Sequence, residues 1–429
     1  MTRHLLLGQT LLFTGNPFAS PWQDCVSIES EGGVLLQGGK IADVGKGQSL
    51  AAKYPDALVT DYGSDLICPG FVDAHAHYPQ TAITASWGKR LIEWLNSYTF
   101  PEEMRLSDPD YAHEIAGRYF ELVTAAGTTT TCSYCTSDPV SVEAYFSAAR
   151  ARGMRVFGGK TCMDRNAPEG LQDTAQRAYD ESKALCDRWQ GKDRLGYVIT
   201  PRFSPTSTPE QLAALGGLWS ERPDCLMQTH ISEQVEEIAW VKTLFPDTRD
   251  YLDTYEAFGL IGAKALYGHA IHLEPREIAR VKEVGAALIH CPTSNTFIGS
   301  GLFDMTLAEQ DIQVGLATDT GGGSSFSMLR TMAAAYEVGQ LRGNALHAAQ
   351  LLWLATQGSA RALHAGDQIG ALSAGHEADI CVLDLASTAA IAQRYAHAES
   401  IWDAVFPTIM MGDDRAVRDV WIGGARQAS

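Results

Sequence analysis

Through the middle of the chain, short apolar runs rich in β-branched residues alternate with longer stretches whose apolar positions recur at helical spacing. Eight of the short runs read as strands: Leu66–His75, Thr128–Tyr134, Arg155–Cys162, Gly196–Thr200, Cys225–His230, Ala265–His269, Ala286–Cys291 and Val314–Thr318. Between them the spacing predicts helices such as Pro109–Ala126, Pro139–Ala151, Ala167–Gln190, Pro209–Ser220, Glu274–Val284 and Met305–Gln310, most of them opened by Asp, Ser, Thr or Pro. Strand and helix in strict alternation make a parallel sheet, and eight such units suggest a closed (β/α)8 TIM-like barrel over residues 66–365.

The two ends of the chain follow a different pattern. Residues 1–65 carry short alternating runs broken by Gly (Leu5–Thr14, Cys25–Glu29, Gly33–Gln37, Lys40–Val44), and residues 366–429 repeat the style at Ala378–Asp384 and Val417–Ile422. They read as two halves of one small, discontinuous β-sandwich domain. After the first barrel strand, the stretch Gln80–Met104 carries Trp87, Trp94, Tyr98 and Phe100, an excursion that either shapes a pocket or simply packs.

Composition narrows the partners. The 429 residues hold 33 Lys and Arg against 51 Asp and Glu, a net charge of −18, which argues against nucleic acid or an anionic membrane and suits a small neutral or cationic substrate. The apolar stretch near the N-terminus is too short for a secretory leader, and no run reaches the roughly 18 residues needed to cross a bilayer, so a cytoplasmic location is expected. Nine cysteines, an odd number scattered in apolar segments, read as reduced core thiols; Cys132 and Cys135 have metal-site spacing but no second pair to complete one.

Candidate chemistry gathers at the predicted strand ends. His75 and His77 lie two apart, on the same face of a strand, where both can chelate one divalent ion. His230, His269 and Asp319 each close another short apolar run, and the C-terminal ends of barrel strands are where catalytic groups collect. The alternatives are core histidines bonded to backbone, the expected state of His272 and His290, and for Asp319 a helix cap before Gly321. Glu233 is either a proton carrier or a first-turn acid answering a helix dipole. Gln80 offers a donor and an acceptor on one amide, Arg202 a fork of donors, and Phe203 a flat apolar face.

Taken together, the segments Pro69–Gln80, Glu93-Trp94-Leu95, Tyr98–Pro101, Gly159–Asp164, Thr200–Phe203, Thr229–Glu233 and His290–Asn295 resemble the amidohydrolase superfamily and, within it, the guanine deaminases. The resemblance implies His75, His77, His230 and Asp319 as ligands of one metal ion, with His269 beside it in a catalytic role. It also implies that Gln80, Arg202 and Phe203, together with His230 and Glu233, meet the base, and that the protein is a homodimer. Three imidazoles and a carboxylate suit Zn2+, although iron or manganese could fill the same donors. One ion per chain is expected, because Lys160 sits on the third strand candidate and the fourth ends in Arg202-Phe203, without the lysine that bridges two metals in other members.

The implied activity is hydrolytic deamination of guanine to xanthine and ammonia. Metal-activated hydroxide would attack the ring carbon bearing the amine, with Glu233, His269 and Asp319 as catalytic residues and Glu233 shuttling the proton. A deaminase of another amino-purine, pterin or triazine-like ring on the same barrel is the alternative. A barrel that has lost catalysis is disfavoured by the presence of every candidate ligand and of Glu233.

Overall fold

The structure, a computed structural model, describes residues 2–88 and 90–427. Met1, Lys89, Ala428 and Ser429, which the expected domain limits include, lie outside the described residues. The chain divides into two compact units, one of residues 1–73, 122–130 and 326–429, the other of residues 74–121 and 131–325.

The central strands form a (β/α)8 barrel. In order they are Phe71–His77, Thr128–Tyr134, Arg155–Gly159 continued by Thr161–Cys162, Leu195–Pro201, Leu226–Ile231, Ala265–His269, Ala287–His290 and Gln313–Leu316, and each neighbours the next in space. The pairings from the third strand onward are parallel. Closure falls between the last strand and the first, where the Asp319 amide donates to the His75 carbonyl at 2.9 Å and the His77 amide to the Thr320 carbonyl at 3.1 Å. Helices Pro109–Ala125, Pro139–Ala151, Ala175–Trp189, Pro209–Glu221 and Pro275–Val284 connect strands, several with side-chain caps from Asp138, Thr174 and Thr208.

One expected strand needs correction. The run Leu66–His75 is two elements, Leu58–Pro69 and Phe71–His77, which belong to different sheets and are separated at Gly70. A Cβ at Gly70 would lie 2.2 Å from the Thr129 hydroxyl, so only glycine lets the chain pass there while it changes sheet.

Both chain ends contribute to one seven-stranded sheet, in the spatial order Ala425–Arg426, Val417–Ile422, Ile380–Leu383, Leu58–Pro69, Arg3–Phe13, Val26–Gln37 and Lys40–Lys46. Alternation along its strands buries both faces. Leu6, Val34, Leu36, Ile67, Ile380 and Trp421 share one apolar cluster, while Leu5, Leu35 and Leu50 share another. The C-terminal segment is not purely β: between its strands run helices Ala389–Tyr395 and Ile401–Met411, the latter opened by a Ser400/Asp403 capping box and packed on helix Met328–Leu341. All nine cysteines are buried and none is in a disulfide.

Candidate active site

Eight of the sequence candidates line one pocket of about 420 Å³ together: His77, Gln80, Arg202, Phe203, His230, Glu233, His269 and Asp319. His75 lies just behind, its ring 5.3 Å from the His77 ring and 4.8 Å from the His230 ring. His75 and His77 project from the first strand and His230 from the fifth, all three buried. The excursion after the first strand closes one side of the pocket with Leu91, Trp94, Leu95 and Thr99. It does so as short helices flanking a π-helical turn over Leu95–Thr99, whereas Trp87 stands exposed.

Strand register explains how His269 reaches the site. His230 pairs with Gly268 and Ile231 with His269, so in a regular strand Gly268 would face the barrel interior and His269 would face away. The inward slot at Gly268 is occupied by His75, whose Cε1 would be 2.5 Å from any Cβ there. His269 adopts a positive φ of 68° instead, which breaks the alternation and turns its ring to the pocket. Asp319 at φ 50° does the same past the eighth strand. Such left-handed residues cost on the order of 1–3 kcal/mol each and are tolerated where the surrounding structure holds them.

The polar atoms converge closely. Nε2 of His77 lies 3.1 Å from Nε2 of His230, and Oδ1 of Asp319 lies 3.3 Å from His77 Nε2 and 3.5 Å from His75 Nε2. Nε2 of His269 is 3.9 Å from Asp319 Oδ2 and 3.7 Å from Glu233 Oε2. Two overlapping triplets, His75/His230/His269 and His75/His77/Asp319, each hold their donor atoms within 4.8 Å of one another. By distance alone His269 belongs to this donor group as much as His230 does.

Protonation fits a cation at this point. Nδ1 of His230 faces the Arg202 carbonyl oxygen at 2.7 Å and therefore carries the proton of the neutral ring, which leaves Nε2 as a lone pair. Burial pushes His75 down and takes His77 and His230 well below the usual imidazole value, so all three favour the neutral, ligating form. Burial would raise Asp319, but hydrogen bonding to His75 and the charge of His269 outweigh it and hold the carboxyl low. Neutral imidazoles around an ionised carboxylate are the donor set that a divalent ion takes from nitrogen and oxygen ligands.

Glu233 and His269 behave in the opposite sense. Burial raises the Glu233 carboxyl, which accepts a hydrogen bond from Ser300 Oγ at 2.8 Å. For His269 burial works downward, yet the charges of Glu233 and Asp319 overturn it and the imidazole is raised; its Nδ1 meets Asn295 Oδ1 at 2.8 Å. Glu233 does not serve as the first-turn acid of the following helix. That helix starts at Val235, and it is the Glu237 carboxylate that accepts from the Glu233 and Gln234 amides and completes the capping box.

Gln80, Arg202 and Phe203, which also line the pocket, are each buried. The sequence reading missed their partner, Glu103, whose carboxylate accepts from Gln80 Nε2 at 2.8 Å and from an Arg202 guanidinium nitrogen at 3.1 and 2.9 Å. In sequence it is one of two adjacent acids in the first turn of a short helix, a place where acids are ordinary. Asn295 and Ser300, the partners of His269 and Glu233, were also missed as site residues, although Asn295 closes the motif His290–Asn295. His272 is not a site residue; its Nε2 bonds the Ser300 carbonyl at 2.9 Å. His290 corrects an expectation: it is buried against Phe303 with neither ring nitrogen hydrogen-bonded among the described residues, and burial pushes it down to about 3.

Comparison with known proteins agrees with this architecture. The amidohydrolase family model matches residues 66–426, and that of a bacterial imidazolonepropionase-like composite domain matches residues 32–57. The guanine deaminase of Escherichia coli (strain K12) is 42% identical over 396 residues, covering 92% of this chain and 90% of that protein. The crystal structure of guanine deaminase from Bradyrhizobium japonicum superposes with a TM-score of 0.97 at 34% identity, covering 100% of this chain and 99% of that one. The structure of guanine deaminase from C. acetobutylicum with bound guanine gives 0.90 at 27% identity, with both chains fully covered. With the barrel, the strand-end histidines and the aspartate in place, the chain belongs to the amidohydrolase family and, within it, to the guanine deaminases.

Proposed function

We propose that the protein hydrolyses guanine to xanthine and ammonia. The observation that carries this reading is the composition of one pocket, about 420 Å³ in volume, which is lined both by buried imidazoles and a carboxylate and by the Gln80/Arg202 pair. His75, His77, His230 and Asp319 would hold one divalent ion, read as zinc from three nitrogens and an oxygen. When bound, such an ion lowers the pKa of a coordinated water from 15.7 to about 7 and so supplies hydroxide at neutral pH.

The side chains handle the protons and the base. Ammonia leaves readily only after its nitrogen is protonated, so a carboxyl must give its proton to the ring nitrogen, take one from the newly added hydroxyl as that becomes the product carbonyl, and pass it to the amine. Glu233 takes that role: burial favours its protonated form, and Ser300 fixes one of its oxygens. Asp319 takes the first proton of the attacking water. His269, raised by the carboxylates around it, steadies the negative charge that develops. Gln80 and Arg202 hold the carbonyl-bearing edge of the base, and Phe203 packs against its ring.

The same reading takes the chain as a cytoplasmic homodimer of purine breakdown. Its support is the family likeness and the acidic charge; among the described residues no helix is long and apolar enough to cross a membrane. Residues 66–365 are taken as the catalytic domain. Steady-state release of ammonia from guanine by the metal-loaded protein tests the activity, and a protein that holds metal but releases none would remove it.

A further inference from the structure

We propose that Glu103 sets the hydrogen-bonding polarity with which the pocket reads the edge of the base, and so selects lactam purines over amino-substituted ones. The inference rests on the deaminase reading above and assigns a positioning residue to it.

A carboxylate can only accept hydrogen bonds. Glu103, 1% exposed, therefore obliges the Gln80 amide to turn its amino group inward, where Nε2 donates to Oε1 at 2.8 Å. What Gln80 offers elsewhere is its oxygen. Gly321, at φ 114°, makes room for this side chain: a Cβ there would lie 2.1 Å from Gln80 Oε1, so any other residue would displace the amide. Glu103 also grips Arg202 through both carboxylate oxygens, at 3.1 and 2.9 Å, from a single guanidinium nitrogen. The other guanidinium nitrogens remain donors. One buried carboxylate thus fixes an acceptor beside a donor.

An acceptor beside a donor complements a ring N–H beside a carbonyl, the lactam edge of a 6-oxopurine. It opposes a 6-aminopurine, whose ring nitrogen accepts and whose exocyclic amine donates. Against such an analogue, two buried polar groups face partners of the same kind, the situation in which sites built from hydrogen bonds discriminate most strongly. With Glu103→Gln the constraint goes: the substituted side chain carries an amide that can itself donate to Gln80, which is then free to flip and present its amino group.

The test compares guanine with 2,6-diaminopurine, which carries the same 2-amino group on the carbon to be attacked. kcat/KM is measured for both on metal-loaded wild type, Glu103→Gln and Glu103→Asp. Hydrogen bonds to charged groups predict that E103Q loses about 10- to 100-fold in kcat/KM on guanine, mostly through KM, with a smaller loss on 2,6-diaminopurine. The preference for guanine then falls at least tenfold, while E103D keeps more of it than E103Q. A preference unchanged within threefold in E103Q, however far both rates drop, overturns the proposal and leaves Glu103 a purely structural residue. Should E103Q not fold, Glu103→Ala decides: with the carboxylate gone the preference falls threefold or more, and an unchanged ratio is again fatal. Wild type inactive on both substrates sinks the deaminase reading itself, an outcome distinct from an active enzyme with an unmoved preference.

Discussion

Replacing Glu233 by Gln isolates the proton carrier from everything else in the pocket. The amide is the same size, and its oxygen can keep the 2.8 Å bond from Ser300 Oγ, so neither the donor cluster nor the cavity should change shape. The variant lacks only an acidic proton. General acid–base catalysis by one positioned group is worth about 10²–10⁴ in rate. In the proposed mechanism the same carboxyl serves two transfers, to ring nitrogen and to amine, and burial raises it, so the loss should sit in the upper part of that range. A fall of about 10³–10⁴ in kcat corresponds to roughly 4–5.5 kcal/mol of barrier. KM should move less than about threefold, since the lost function belongs to the transition state. The assay is initial-rate ammonia release at saturating guanine, with metal content and melting temperature measured on the same preparation. A kcat within tenfold of wild type at equal metal content would refute the assignment. A large loss accompanied by loss of metal would point to a ligand-like role instead.

Three further perturbations probe what supports the site. Gly268→Ala forces a methyl group to within 2.5 Å of the His75 ring, so metal content and activity should both fall more than about tenfold although position 268 is not a ligand; full metal occupancy by elemental analysis would contradict the packing argument. Lys160 is completely buried and paired with Asp173, which Gln211 also holds at 2.6 Å; Lys160→Met strands the carboxylate and should destabilise by about 3–5 kcal/mol, whereas the Lys160→Met/Asp173→Leu double variant recovers most of it in a melting experiment. Asp65 is pushed up to about 6 by burial and by Asp384. A raised carboxyl favours the folded state fully only below its ordinary value near 3.8, and that contribution is lost as pH rises through about 6. Asp65→Asn should therefore raise the melting temperature at pH 7.5, by the equivalent of about 1 kcal/mol after allowing for solvent screening, and by about half as much at pH 5; an equal gain at both would refute the titration.

How much of this was legible depended on whether the signal was local. The barrel strands announced themselves as β-branched runs ending in polar residues, and His75/His77 followed from alternation alone. The break at Gly70 was hidden, since the run is apolar on both sides and only the Thr129 side chain pressing on it from another strand demands a glycine. Helix Ile401–Met411 was hidden for the opposite reason: Pro407 and the neighbouring β-like runs masked a helical period. His269 could be placed at the site only by its strand-end position, because regular alternation turns it the wrong way and the positive φ that rescues it is set by His75 filling the adjacent slot. Glu103 had no local signature whatever. Its role exists only because residues 23 and 99 positions away fold against it.

Two backbone bonds that join the first barrel strand to the segment after the last are made by His75 and Asp319 and by His77 and Thr320. Three of the four residues proposed to hold a cation, His75, His77 and Asp319, therefore lie at the seam of the cylinder. A cradle of His75, His77, His230 and Asp319 is complete only when the last strand is docked on the first, so an ion held there would bridge that joint. Unzipping of the ring from this edge and escape of the ion should then be one event, with the catalytic machinery as the molecule's own latch.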